Sequence, residues 1–158
     1  MKHRKYITFV FRISFSKRNA MKKYNVTFMG YRRDVNAGTL PSSSGVYMVY
    51  RCRYNEESKT VDLKELFYIG QAFDLNNEIN YHARHDEFLA QAHEGEQICY
   101  AYARVDKSDL DIVENALIFA QKPRLNQNLK NSYNHEAAEF QIEGKCALLK
   151  HTNYSIGE

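Results

Sequence analysis

Two phenols, an imidazole and two carboxylates stand at spacings that could bring them together. Tyr47 follows Gly45 and Val46 on one apolar run, and Tyr68-Ile69-Gly70 ends the next. Glu78 and His82 lie four apart beyond it, and Glu114 opens a Glu114-x-x-Leu117-Ile118 stretch ahead of Pro123-Arg124-Leu125-Asn126. Groups of these types move protons and ligate hard cations. Each also has a plainer reading. Strand tyrosines commonly pack with the hydroxyl at the surface, and with 12 Tyr in the chain one alone counts for little. Glu114, flanked by Val113, Ala116 and Leu117, is either the edge of a solvated helix face or a carboxylate that reaches a metal at the sheet edge. His82 is either a ligand contact or an amphipathic helix residue, and Asn126, just past a proline, is either a turn residue or a structural one beside the site.

The elements that must position these residues follow from periodicity and punctuation. From Gly45 to Tyr54, Val46, Met48, Tyr50 and Cys52 share one face of a strand, and Tyr47, Val49, Arg51 and Arg53 the other. Asn55 to Lys59 reads as a turn, and a second strand over roughly Leu63 to Ile69 completes an antiparallel hairpin. Asp74 can cap a helix with Leu75, Ile79, His82 and Ala83 on one side. Gln97 to Val105 is a third strand. Ser108, with Asp111 three residues on, resembles a capping box, and the helix it opens buries Val113, Ala116, Leu117 and Ala120 until Pro123 stops it. Upstream, Tyr24 to Met29 can add a strand at the sheet's edge, and residues 138 to 156 alternate as a hairpin turning near Glu143-Gly144. The order predicts an α+β fold, a small antiparallel β-sheet flanked by helices, with an N-terminal basic extension and a C-terminal β-hairpin. Pro41-Ser42-Ser43-Ser44-Gly45 marks the expected boundary, giving an arm over 1–40, a core over 41–130 and an extension over 131–158.

The two glycine-tyrosine triplets, the Glu114 stretch and the Pro-x-Leu-Asn ending resemble, in order and spacing, the GIY-YIG nuclease domain, over Gly45 to about Asn128. The resemblance implies a GIY-YIG-like sheet and metal-dependent hydrolysis of nucleic-acid phosphodiesters, with Tyr47 and Tyr68 as the paired tyrosines. His82 is implied as a proton-transfer or phosphate-contacting residue, Glu114 as the ligand of Mg²⁺ or Mn²⁺, and Asn126 as a structural or substrate-side residue. Arg84 and Lys122 are the candidate cations for substrate. DNA is the expected substrate rather than RNA.

One position departs from the family's pattern. Counting from Asp74, the catalytic arginine falls at Glu78. A carboxylate repels phosphate where an arginine would attract it, by an energy on the order of several kcal/mol at an effective dielectric of 20. Arg84 follows six residues on, about 240° round and about 9 Å along a continuous helix, so it reaches the site only if that helix is short or bent. Glu78 could instead pair with Glu114 in a two-carboxylate metal site. The two leading readings are thus an active endonuclease and a catalytically silent binding or regulatory module. The connection between the tyrosines is also long, 21 positions, and places an insertion over Asn55 to Asp62 at the hairpin tip.

Charge separates along the chain. Residues 1–40 hold ten Lys and Arg against Asp34 alone, a balance of +9, and the rest holds twelve against eighteen acids, a balance of −6. A basic arm on an acidic body suits a nucleic-acid partner, and equally a solvated tail. Three cysteines without C-x-x-C spacing indicate neither a disulfide framework nor a zinc site, which points to an intracellular, cytoplasmic protein. No apolar run approaches the roughly 20 residues that span a bilayer. The first 20 residues are basic and acid-free, but Arg12 interrupts their apolar run, so a secretory signal is not expected.

Overall fold

The computed structural model describes residues 20–157. In chain order these form β1 (Lys22–Arg33), a 3₁₀ turn (Asp34–Thr39), β2 (Gly45–Asn55), β3 (Thr60–Ala72), α1 (Leu75–Asn80) and α2 (His85–Leu89). There follow β4 (Gln97–Arg104), a 3₁₀ turn (Lys107–Asp109), α3 (Leu110–Gln121), β5 (Ala138–Gly144) and β6 (Asn153–Ile156). The described strands make one six-stranded sheet in the order β3-β2-β4-β1-β5-β6. The class is α+β, and the sheet is mixed rather than antiparallel, because β1 and β5 pair in parallel from Lys22↔Ala138 to Phe28↔Gly144.

Two corrections follow from that pair. β1 is an interior strand between β4 and β5, not an edge addition, because alternate residues Val26 and Phe28 are buried and carry its apolar face into the core. The C-terminal strands do not turn at Glu143-Gly144. Gly144 ends β5 at φ +83°, where an added Cβ would lie 2.2 Å from the Phe28 carbonyl oxygen. The chain then runs through residues 145–152 before β6 returns antiparallel to β5. The segment expected as a domain boundary is tied into the sheet. Ser44 Oγ donates to the Val105 carbonyl at 2.7 Å, and the Ser43 carbonyl accepts from the Leu75 amide at 2.9 Å.

β2 and β4 are covered on both faces, so their buried runs are almost continuous. Val46, Met48 and Tyr50 pack with Leu110, Val113 and Leu117 of α3 on one side. Tyr47, Val49 and Phe67 pack with Leu75, Ile79 and Phe88 of α1 and α2 on the other. α3 begins at Leu110 and not at Ser108, which sits inside the preceding 3₁₀ turn and makes no cap. Its buried face includes Ile118 and Gln121, while Ala120 is only half-buried. No helix among the described residues is long and apolar enough to cross a membrane. All three cysteines are free.

The helix expected to run from Asp74 to Ala83 is broken. Asp74 does cap it, accepting from the Asn77 amide at 3.0 Å, an interaction that stabilises a helix start by about 1 kcal/mol. Asn76 and Asn80 then reach sideways, to the Leu40 carbonyl at 2.8 Å and the Ala37 carbonyl at 3.0 Å, and pin α1 to the 3₁₀ turn. Tyr81 leaves helical geometry at φ −123°, so His82 and Ala83 lie in the turn between α1 and α2.

Candidate active site

The tyrosine of β2 is fixed by two glycines. A Cβ at Gly45 would lie 2.1 Å from the Ala103 carbonyl oxygen and 2.9 Å from Leu75 Cδ1, so the close approach of β2 to β4 and α1 requires glycine there. Gly70, opposite Tyr47 on β3, is crossed by the Tyr47 ring. A Cβ would lie 2.5 Å from its phenol oxygen. Tyr47 is therefore threaded across the edge strand, and its ring is buried.

Tyr68 reaches the same face through an irregularity. Val49 pairs with Tyr68 but Tyr50 pairs with Leu66, which leaves Phe67 as an extra residue on β3. Such a bulge re-aims side chains. As a result Phe67 and its neighbour Tyr68 both pack toward α1 and α2. The Tyr47 and Tyr68 rings are 6.2 Å apart between centroids.

His82 closes the cluster from the turn after α1. Its ring lies 6.2 Å from Tyr47, 5.8 Å from Tyr68 and 4.7 Å from Phe88. Its Nδ1 accepts from the Arg84 backbone amide at 2.9 Å, which assigns the neutral ring's proton to Nε2. Burial holds the imidazole below its usual pKa, aided by the Arg84 and His85 charges and opposed by Glu78. Glu78 Oε1 faces two donors at once, the His82 Nε2 at 3.6 Å and the Tyr47 hydroxyl at 3.5 Å. Burial, the neighbouring Tyr68 and the Glu78 and Glu114 carboxylates push the Tyr47 phenol well above 10.

The break after α1 also brings Arg84 in. Its guanidinium lies 5.1 Å from the centroid of the Tyr68 ring. It is anchored by Glu87, with Nε and Nη2 at 2.8 and 2.9 Å, and by the Leu125 carbonyl at 3.0 Å. Burial raises the Tyr68 phenol, and the Arg84 charge draws it back down.

Glu114 sits half-buried on α3 where that helix meets β3. The Gln71 amide donates to Glu114 Oε2 at 2.9 Å and to Asp111 Oδ1 at 2.8 Å, holding the two carboxylates side by side. Burial pushes the Glu114 carboxyl up to about 7, against the Gln71 bonds and with help from the Asp111 and Glu78 charges. A carboxyl whose folded pKa is raised contributes stability that is complete below the unfolded value and is lost as pH rises through about 7. Urea unfolding is expected to show wild type losing stability between about pH 5 and about pH 8 relative to Glu114→Gln, with a proton linkage of about one. An equal pH dependence of the two chains would contradict the raised carboxyl.

The remaining candidates lie elsewhere or act structurally. Asn126 is buried, donating from Nδ2 to the Ile69 carbonyl at 2.9 Å and accepting from the Ile69 amide at 3.0 Å. It thus substitutes for a missing strand along β3 and fixes Tyr68-Ile69-Gly70. Lys122 ends α3 in left-handed geometry, with Nζ on the Lys130 carbonyl and 4.4 Å from the Phe119 ring centroid, contacts outside the tyrosine cluster. Gln71, Asp111 and Phe88 were missed in the sequence. The three-residue spacing of Asp111 and Glu114 on one helix face was a usable signal for Asp111. Nothing local singled out Phe88.

Among the described residues, no three His, Cys, Asp or Glu side chains group as a metal cage. The available donor set is the Glu114 carboxylate with Asp111 beside it, hard oxygens suited to an ion that keeps most of its waters. In comparisons with known proteins, no protein-family model, no curated protein and no solved structure matches the chain.

Proposed function

We propose that this chain is a divalent-metal-dependent endonuclease of GIY-YIG type that hydrolyses nucleic-acid phosphodiesters, DNA in preference to RNA, with Arg84 as the cation that position 78 lacks. The observation that carries the reading is the Arg84 guanidinium against Tyr68, within the cluster of Tyr47, Tyr68 and His82. The raised carboxyl of Glu114 is compatible with a metal ligand, since burial chiefly, and the Asp111 and Glu78 charges after it, disfavour its ionised form, and a bound cation would offset both.

Glu114 would hold Mg²⁺ or Mn²⁺, which when bound neutralises charge on the phosphate and on the leaving oxygen. The protein's residues do the rest. Tyr47 stays protonated at neutral pH, so its oxygen can take a proton from the attacking water only as its own passes to Glu78 Oε1. The water oxygen bonds to phosphorus, the P–O ester bond breaks, and the leaving oxygen takes a proton from solvent. Arg84 pairs with a non-bridging phosphate oxygen, while the His82 Nε2–H stays turned to Glu78 Oε1. Glu78 is in this scheme the proton acceptor, a role a carboxylate fills at neutral pH and a phenol does not.

A catalytically silent nucleic-acid-binding module is the second reading, and the Arg84–Glu87 ion pair favours it, because it compensates the guanidinium before any phosphate arrives. Nicking of supercoiled plasmid by the full chain with Mg²⁺ or Mn²⁺, stopped by EDTA, is the test. Arg84→Ala is expected to slow nicking by about one to two decades, or about 1.4 kcal/mol of barrier for each. Intact plasmid with wild type selects the silent module.

A further inference from the structure

A second cationic feature lies on the other side of the sheet. The tip of the β2–β3 hairpin faces the far end of β1 across a cleft of about 430 Å³. Four basic side chains line it, Arg32, Arg33, Lys59 and Lys145, and no acidic side chain does. Among the described residues, Arg32, Arg33 and Lys145 form no ion pair, and Lys59 pairs only with the exposed Glu56 at 3.2 Å. The Arg32 Nε is shielded from solvent and has no hydrogen-bond acceptor.

The cleft is built from local irregularities. β1 slips register against β4 between Met29 and Arg32, which turns the two arginines at its end. The Arg33 guanidinium lies 3.6 Å from the centroid of the Tyr54 ring, which holds its plane in place. The hairpin tip is set by Asn55, whose Oδ1 accepts from the Glu57 and Ser58 amides at 2.9 and 3.0 Å. A buried donor without an acceptor, carried by one of three uncompensated cations, calls for an anion with several oxygens, and guanidinium forks match phosphate.

We propose that this cleft binds the phosphate backbone of nucleic acid, as a contact separate from the tyrosine cluster. Tyr54 is seven residues along β2 from Tyr47, about 23 Å in an extended strand, and an odd count places them on opposite faces. A strand engaging both must bend round the hairpin end. The cleft gives the long hairpin a purpose that hydrolysis does not require. Only the identity of the phosphate carrier rests on the proposed function.

The experiment measures binding of a fluorescein-labelled DNA duplex by anisotropy, in EDTA, over a salt series, with the full chain. Arg33→Ala combined with Lys145→Ala is expected to weaken binding about tenfold or more and to reduce the log-log salt slope by about two. Lys145→Glu, at an exposed position that leaves the core intact, is expected to weaken binding in the same direction. Unaltered affinity and slope in both cleft variants overturn the proposal. So does thermal stabilisation of wild type by pyrophosphate that the variants lose while duplex binding is retained, since the cleft would then serve a free phosphate. Binding is read without metal and cutting with it, so this proposal and the nuclease reading fail separately.

Discussion

Glu114→Ala is expected to reduce metal-dependent nicking by about three decades or more, about 4 kcal/mol of barrier, with the melting temperature held or raised in the absence of metal. The two effects have one origin. Burial and the Asp111 and Glu78 charges make the ionised Glu114 carboxylate unfavourable, so its removal relieves the folded chain near neutral pH. The same removal takes away the oxygen that would ligate the cation. Nicking rates with Mn²⁺ and calorimetry on the same preparation check both. A variant that cuts at the wild-type rate would show that Glu114 is only a helix-edge carboxylate.

The second large effect runs against the family's pattern. Glu78→Arg supplies the arginine at the position where the resemblance expects it, yet it is expected to lower nicking by about two decades. The Glu78 carboxylate faces both the Tyr47 hydroxyl and the His82 Nε2–H, and an arginine leaves both donors without an acceptor. It also adds a positive charge to a site that already holds Arg84 against Tyr68. Initial rates for Glu78→Arg, Glu78→Gln and wild type decide the matter. A gain of activity in Glu78→Arg from an inactive wild type would identify Glu78 as the lesion that silenced the site, and the proton-acceptor role would fall.

How far the site was legible in the chain differs from residue to residue. The alternation of Tyr47 and Val49 against Val46 and Met48 was readable because β2 runs without irregularity, and side chains of a regular strand keep a period of two. Tyr68 was readable as a strand residue but not as to its face, since the extra residue at Phe67 depends on how β3 registers against β2. The Asp74 cap is local and was visible. The helix end was not, because Asn76 and Asn80 are held by carbonyls of Leu40 and Ala37, some forty positions away. That one non-local event decides the placement of both His82 and Arg84. The parallel pairing of β1 with β5 was invisible for the same reason, as was the cleft at the hairpin tip, whose walls come from three separate parts of the sequence. The basic arm proposed as a nucleic-acid contact lies, over residues 1–19, outside the described residues.

The β1–β5 pair sets the order in which the sheet can assemble. Lys22 meets Ala138 across 116 positions of chain, and pairs of such separation close late and slowly. The β2–β3 hairpin and its docking on β4 need no segment beyond residue 104. Of the described strands β1 emerges before the others, yet one of its edges stays bare until residues 138–144 leave the ribosome. A strand with an unpaired edge in a half-made sheet templates association with other chains. Crowding of nascent copies therefore acts on β1 before it can act on the tyrosine cluster.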